Sequence, residues 1–212
     1  MAGVRDDFLA TARAAVCLLR DPAVTAAWDR PSALPEFSVR GLAGHLAYQV
    51  LAVSQALAGP VPAEPVVPLL EHYARVAWIG ADLSDDINVR IRDGGEALAA
   101  DGPSALAARV DSVVSELAYG LADAGGGPVR IPLWGPWSLT LDDLLVTRMM
   151  ELVVHADDLA VSVGVPAPAV PTSAMETVID LLTRLAVRRH GATGVLRALS
   201  RAERAPATIA AF

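Results

Sequence analysis

The sequence predicts an all-α fold, a bundle of long helices joined by one large crossover connection. Hydrophobic residues make up 53% of the 212 positions. Many of them are alanine, which is a strong helix former. Apolar residues also recur at the 3.6-residue period of an amphipathic helix in most segments. Stretches rich in proline and glycine separate these segments and indicate the connections between helices.

The N-terminal part is predicted to contain two long helices. Residues 7–20 carry apolar side chains at helical spacing and form the first helix. Three prolines in residues 21–37 predict an irregular connection. Ser38 has the character of an N-cap, and the second helix then runs over residues 39–58. Gly44 within this helix would permit a neighbouring helix to approach closely.

The middle of the chain begins with a proline-rich loop. A third helical region follows over residues 69–100, with an interruption expected near Gly80. The Gly94-Gly95 pair is a weak point, where we expect a break or a kink. A further helix over residues 104–124 has its leucines and valines on one face.

The last bundle helix follows an element that cannot be helical. Residues 125–139 combine glycines, prolines and two tryptophans, which predicts an extended turn or short hairpin. Thr140 is a good N-cap, with two aspartates in the first turn, where the helix dipole favours acids. This helix should end at Gly164.

Two domains of unequal size are expected. Residues 1–165 should form the helical bundle. Residues 166–212 should form a C-terminal helix, over about 172–189, and a tail that packs on the bundle or makes a homodimer contact.

Composition argues against several classes of partner. The net charge is −7 and no basic run occurs, so nucleic-acid binding lacks its electrostatic footprint. The single cysteine, Cys17, lies in an apolar run and is expected to be buried; it excludes an internal disulfide and fits a reducing cytoplasm. No signal peptide and no membrane span are expected, which together favour a cytoplasmic protein.

Three residues form a candidate metal site. Glu151 and His155 are four residues apart in an apolar helix and therefore share one face. His45, from the second helix, would complete a set of two imidazoles and one carboxylate. Such a set binds a borderline divalent ion and leaves coordination positions open.

Alternatives exist for each of these residues. A single histidine in an apolar helix is more often a satisfied core residue than a ligand. Glu151 needs a partner because burying a lone carboxylate is costly, and Arg148, three residues earlier, could supply a simple ion pair. Asp158 could orient His155 from behind or could be solvated. His72 is interpreted as a surface or half-buried residue.

At these residues the chain resembles a known family. The segments SVRGLAGHL and RMMELVVHADDLAVSVG are similar to the metal-binding N-terminal domain of mycothiol-dependent maleylpyruvate isomerase, one of the DinB-like (YfiT-like) four-helix-bundle metalloenzymes. The family pattern is His-Leu in the second helix, then R-x-x-E-x-x-x-H-x-x-D after a Trp-Gly element. The matching positions are His45-Leu46, Trp134-Gly135, Arg148, Glu151, His155 and Asp158.

The resemblance implies a metal-dependent enzyme. The ligands would be His45, Glu151 and His155, the ion zinc, and the fourth ligand a mycothiol or bacillithiol thiolate. Two histidines and a carboxylate also suit nickel, iron or manganese. A metal-bound thiol has a lowered pKa, and its thiolate would add to a small electrophile.

The reaction itself is open at this point. The isomerase carries a separate C-terminal domain, whereas here a helix and tail follow Gly164. The resemblance therefore implies either a thiol S-transferase or an isomerase-like reaction. A non-enzymatic bundle that binds a metal or small molecule is the alternative; the lack of an obvious fourth protein ligand favours the enzyme.

Overall fold

The computed structural model describes residues 3–212 and confirms the all-α, DinB-like fold. Its α-helices are α1 (Val4–Leu19), α2 (Pro22–Ala26), α3 (Val39–Ala58), α4 (Leu69–Arg75), α5 (Asp86–Leu98), α6 (Pro103–Asp123), α7 (Leu141–Val163), α8 (Thr172–His190) and α9 (Ala192–Ser200). Two short strands, β1 (Pro128–Val129) and β2 (Leu139–Thr140), pair antiparallel. Among these residues, no helix combines the length and apolarity needed to cross a bilayer.

The core is a four-helix bundle of α1, α3, α6 and α7. Each of α1 and α3 packs against both α6 and α7, and the leucine, valine and methionine side chains between the four helices are almost fully buried. The predicted caps are present, since Ser38 accepts a hydrogen bond from the Gly41 amide and Thr140 accepts one from the Asp143 amide. Gly164 ends α7 in the left-handed conformation, as its position predicts.

The predicted long crossover joins α3 to α6. Arg5, at the start of α1, donates to the carbonyl oxygens of Leu121 and Ala124 at the end of α6. These two helices are therefore antiparallel. Gln49 of α3 contacts Arg148 in the middle of α7, while His45, one turn earlier, approaches His155 further along it, so α3 and α7 are also antiparallel.

Helix α5 lies against α3 at a glycine contact. A Cβ on Gly44 would overlap the Gly95 carbonyl, and a Cβ on Gly95 would overlap the Gly41 carbonyl. The close approach expected at Gly44 is thus present. The break expected at the Gly94-Gly95 pair is absent, because α5 continues through both residues and Gly95 serves the helix contact instead.

The region expected to be one interrupted helix is two helices. Helix α4 ends at Arg75 and α5 begins at Asp86, with turns and a left-handed Gly80 between them. The separation is wider than the sequence indicated. It matters for the site because residues 76–92 form one side of the cavity described below.

A short hairpin precedes α7, as the sequence predicts. Gly135 between its strands has a φ of 130°, and a Cβ there would overlap the Trp137 ring. Glycine is required at this position for both reasons. The hairpin places Trp134 beside α7 and buries Trp137.

The C-terminal segment packs on the outside of the bundle. Helix α8 contacts α1 and α7, and α9 contacts α8. Cys17 on α1 is exposed, so its expected burial is wrong. Its neighbours at helical spacing, Arg13 and Arg20, are exposed too, and Cys17 therefore belongs to the outward stripe of the helix.

Candidate metal centre

The structure brings the three predicted ligands together. His45 projects from α3, and Glu151 and His155 project from α7. One ligand atom from each of these residues lies within 4.8 Å of the others. The two imidazole rings are 4.6 Å apart between centroids. The three side chains thus form a compact donor set of two nitrogens and one oxygen.

His155 lies between two carboxylates on its own helix. Its Nε2 is 3.0 Å from Glu151 Oε2, and its Nδ1 is 3.0 Å from Asp158 Oδ2. Burial lowers the pKa of His155, but the hydrogen bonds to Asp158 and Glu151 outweigh burial and raise the pKa to about 9. The surroundings of this imidazole therefore favour positive charge at this point.

Glu151 is largely buried, with 13% of its side chain exposed. Burial raises its pKa, but the hydrogen bond with His155 and the nearby Arg148 charge outweigh burial and lower the pKa to about 2. Glu151 is consequently an ionised carboxylate at neutral pH. Arg148, the partner that the sequence suggested for Glu151, is 3.9 Å away, and His155 is hydrogen-bonded to the same carboxylate.

His45 is uncharged at neutral pH. Burial, the positive His155 and the Arg148 charge lower its pKa to about 3 against the opposing effect of Glu151. A neutral imidazole is the form in which histidine binds metal ions. The ring also packs against Phe37, with centroids 5.8 Å apart.

Arg148 is buried and held in place by its neighbours. Its Nη1 donates to Gln49 Oε1 at 2.6 Å, and its Nε donates to Thr147 Oγ1 at 3.1 Å. The guanidinium lies over the Trp134 ring at 5.2 Å. Its Nη2 is 3.9 Å from Glu151, so the direct ion pair is a loose one.

Asp158 lies behind His155. It contacts the ring nitrogen that faces away from Glu151, and 29% of its side chain is exposed. Such a carboxylate fixes the orientation and tautomer of an imidazole ligand. This is the arrangement that the sequence suggested for Asp158, rather than a fully solvated corner of the helix.

Gln49 is a site residue that the sequence reasoning missed. It is fully buried, its amide nitrogen donates to the His45 carbonyl at 2.9 Å and lies 3.3 Å from His45 Nε2, and its oxygen accepts from Arg148. The signal was available, because a polar residue one turn after His45 in an apolar helix needs a buried partner.

His72 is buried, which corrects the expectation of a surface or half-buried residue. Trp137 Nε1 donates to His72 Nδ1 at 3.1 Å, and the Trp134 ring packs on it at 4.3 Å. Burial and the Arg148 charge lower its pKa to about 4, against the effect of Glu151. His72 is therefore uncharged at neutral pH, and it packs against Trp134, whose ring also contacts the Arg148 guanidinium.

A cavity opens above the donor set. It has a volume of about 280 Å³, close to the lower end of small-molecule sites at roughly 300 Å³. His45, Glu151 and His155 line it together with Gln49 and Arg148. Most of its other lining residues are apolar and come from residues 34–37, 76–92 and 133–134.

Comparison with known proteins identifies the family and the fold. No curated protein matches the sequence significantly. The crystal structure of the mycothiol-dependent maleylpyruvate isomerase superposes with a TM-score of 0.53 at 17% identity, covering 92% of this chain and 75% of that one. The family model of the mycothiol maleylpyruvate isomerase N-terminal domain matches residues 9–160. This chain therefore belongs to the family of the mycothiol maleylpyruvate isomerase N-terminal domain.

Proposed function

We propose that the chain is a metal-dependent, mycothiol-dependent enzyme that joins the thiol sulfur to a small electrophile. The convergence of His45, Glu151 and His155 at one end of a cavity carries this proposal. Family membership supports mycothiol as the thiol. We propose zinc as the ion, with nickel, iron or manganese as alternatives for the same donor set.

The residues present fit a divalent ion. Two imidazoles and one carboxylate are a common donor set of catalytic zinc sites, in which three protein ligands leave a position for substrate. His45 is neutral and Glu151 is ionised, as ligands must be, whereas His155, with a pKa of about 9, would release the proton on Nε2 when the ion binds. When bound, the ion would lower the pKa of a coordinated thiol and supply a thiolate at neutral pH.

The surrounding residues would hold this donor set in position. Asp158 orients the His155 ring through Nδ1. Gln49 links the His45 segment of α3 to Arg148 of α7, so the two ligand-bearing helices are fixed to each other next to the site. The apolar walls limit access of water to the reacting thiol and electrophile.

The proposed bond changes need no oxidant. When the thiol adds across a carbon–carbon double bond, a sulfur–carbon bond forms and the π electrons move to the adjacent carbon. That carbon then takes up the proton that the thiol lost. In substitution, the leaving group departs with its bonding pair and the thiol proton goes to solvent. An isomerase-like reaction is the first of these followed by rotation and the reverse elimination.

Proton release on thiol binding tests the proposal. Titrating mycothiol into the zinc-loaded chain should release about one proton per site at neutral pH, because the thiol binds as thiolate. Mycothiol with a methylated sulfur should release none, and neither should the metal-free chain. If the zinc-loaded chain binds neither mycothiol nor other small thiols, the thiol-dependent function is refuted. A bundle that only binds metal would then be the remaining interpretation.

A further inference from the structure

The cavity wall facing the donor set is apolar over a continuous area. Ile87 and Ile91 are four residues apart on α5 and present one face to the cavity. Trp78 and Phe37 add aromatic surface. A ligand that fills the cavity therefore meets mostly hydrocarbon on these sides, and the polar lining residues outside the donor-set end are Tyr48, Asn88 and Arg92.

The polar side chains of α5 that line this wall are engaged with the neighbouring turn. Asn88 Nδ2 donates to the Asp82 carbonyl at 2.9 Å, and Arg92 Nη1 donates to the Leu83 carbonyl at 2.8 Å. Both contacts hold residues 81–83 against α5. These hydrogen bonds account for the positions of the Asn88 and Arg92 side chains, so no charged ligand is needed to explain them.

The second arginine of the cavity is also engaged within the chain. Arg148 donates to Gln49 and Thr147 and packs on Trp134. A carboxylate placed against the side chains of Ile87 and Ile91 would lose its hydration, which is unfavourable, and the nearby Arg92 already donates one N–H to the Leu83 carbonyl. The wall thus selects against ligands that carry charge on the part that contacts it.

The mouth of the cavity is apolar as well. Leu83 and Leu133 line it and are 52% and 58% exposed, respectively. Trp78 is supported from behind by the Phe212 ring, at 4.8 Å between centroids. Exposed apolar side chains around a cavity are typical of a surface that a ligand covers.

We infer that the second substrate is a small electrophile with an uncharged, apolar or aromatic body. Its body lies against Ile87, Ile91 and Trp78, and its reactive carbon points toward the His45, Glu151 and His155 donor set. This assignment rests on the proposed thiol transfer for the reaction, but its binding part can be measured without any turnover.

A pair of unreactive nitroaromatic probes tests the binding part. Nitroaromatic rings quench tryptophan fluorescence, and Trp78 and Trp134 both line the cavity. The neutral probe 1,3-dinitrobenzene should quench saturably and bind at least about 10-fold more tightly than 3,5-dinitrobenzoate, which adds one carboxylate to the same ring. Equal or tighter binding of the benzoate, or no saturable binding of either probe, would overturn the inference.

Two charge variants locate the binding. Ile91→Arg places a cation on the wall and should reduce the preference for the neutral probe by at least about 10-fold. Leu199→Arg adds the same charge at an exposed position of α9 and should leave the preference unchanged. An unchanged preference in a folded Ile91→Arg variant would refute this wall as the binding surface. Apolar binding without thiol turnover would refute the proposed function alone.

Discussion

Replacing one of two adjacent glycines in α5 by alanine should produce opposite effects on stability. At Gly94 a Cβ would meet nothing within 4 Å, whereas at Gly95 it would overlap the Gly41 carbonyl of α3. Both positions lie inside the same helix, so alanine gains the same helix propensity at each, about 1 kcal/mol.

The expected change in the free energy of unfolding combines the gain in helix propensity with the cost of steric overlap. Gly94→Ala should raise the free energy of unfolding by up to about 1 kcal/mol. Gly95→Ala forces α5 away from α3, and overpacking of this kind costs about 1–3 kcal/mol, so its net effect should be a loss of up to about 2 kcal/mol. The difference between the variants isolates the steric contribution.

Urea unfolding of wild type and both variants measures this difference. In thermal unfolding, 1 kcal/mol corresponds to about 2–4 °C for a chain of this size. Gly95→Ala should also weaken ligand binding in the cavity, because α5 supplies one wall. A Gly95→Ala variant as stable as Gly94→Ala would refute the close helix contact.

Three further predictions concern the surroundings of the site. Asp158→Asn should keep the fold and weaken zinc binding by about 10–100-fold, measured by competition with a chromophoric chelator; unchanged affinity would exclude an orienting role. Gln49→Leu removes the acceptor of a buried guanidinium and should cost about 1.5–3 kcal/mol in urea unfolding, whereas Gln55→Leu on the exposed face of α3 should be nearly neutral. His72 has a pKa of about 4 in the folded chain and 6.5 in the unfolded chain, so the folded chain binds this proton more weakly. The contribution of His72 to the free energy of unfolding is therefore complete above pH 6.5 and is lost as pH falls toward 4. That loss should approach 3 kcal/mol, on the order of 1.4 kcal/mol per pKa unit, and His72→Asn should show a correspondingly shallower decline than wild type.

Much of the fold could be predicted from local signals. The caps at Ser38 and Thr140 and the stop at Gly164 are local chemistry, and each is present where the sequence indicates it. The Gly94-Gly95 pair could not be interpreted this way. Its helix propensity is poor, but a tertiary contact with α3 overrides that preference and requires the small residue.

Most of the candidate site could also be predicted from local sequence patterns. Glu151 and His155 are polar residues one turn apart on an apolar helix, a pattern that local periodicity reveals. Gln49 obeys the same rule and could have been included. The burial of His72 depends on the indole N–H of Trp137, which is 65 positions away in the chain. No local pattern contains that information.

The proposed function requires that His45, Glu151 and His155 hold one divalent ion. Elemental analysis of the purified chain, followed by zinc titration of the metal-free form, tests it directly. We predict one ion per chain in wild type, loss of the ion in His155→Ala, and retention in His190→Ala, whose histidine contacts the Ala210 carbonyl instead. Equal metal content in wild type and His155→Ala would contradict the account.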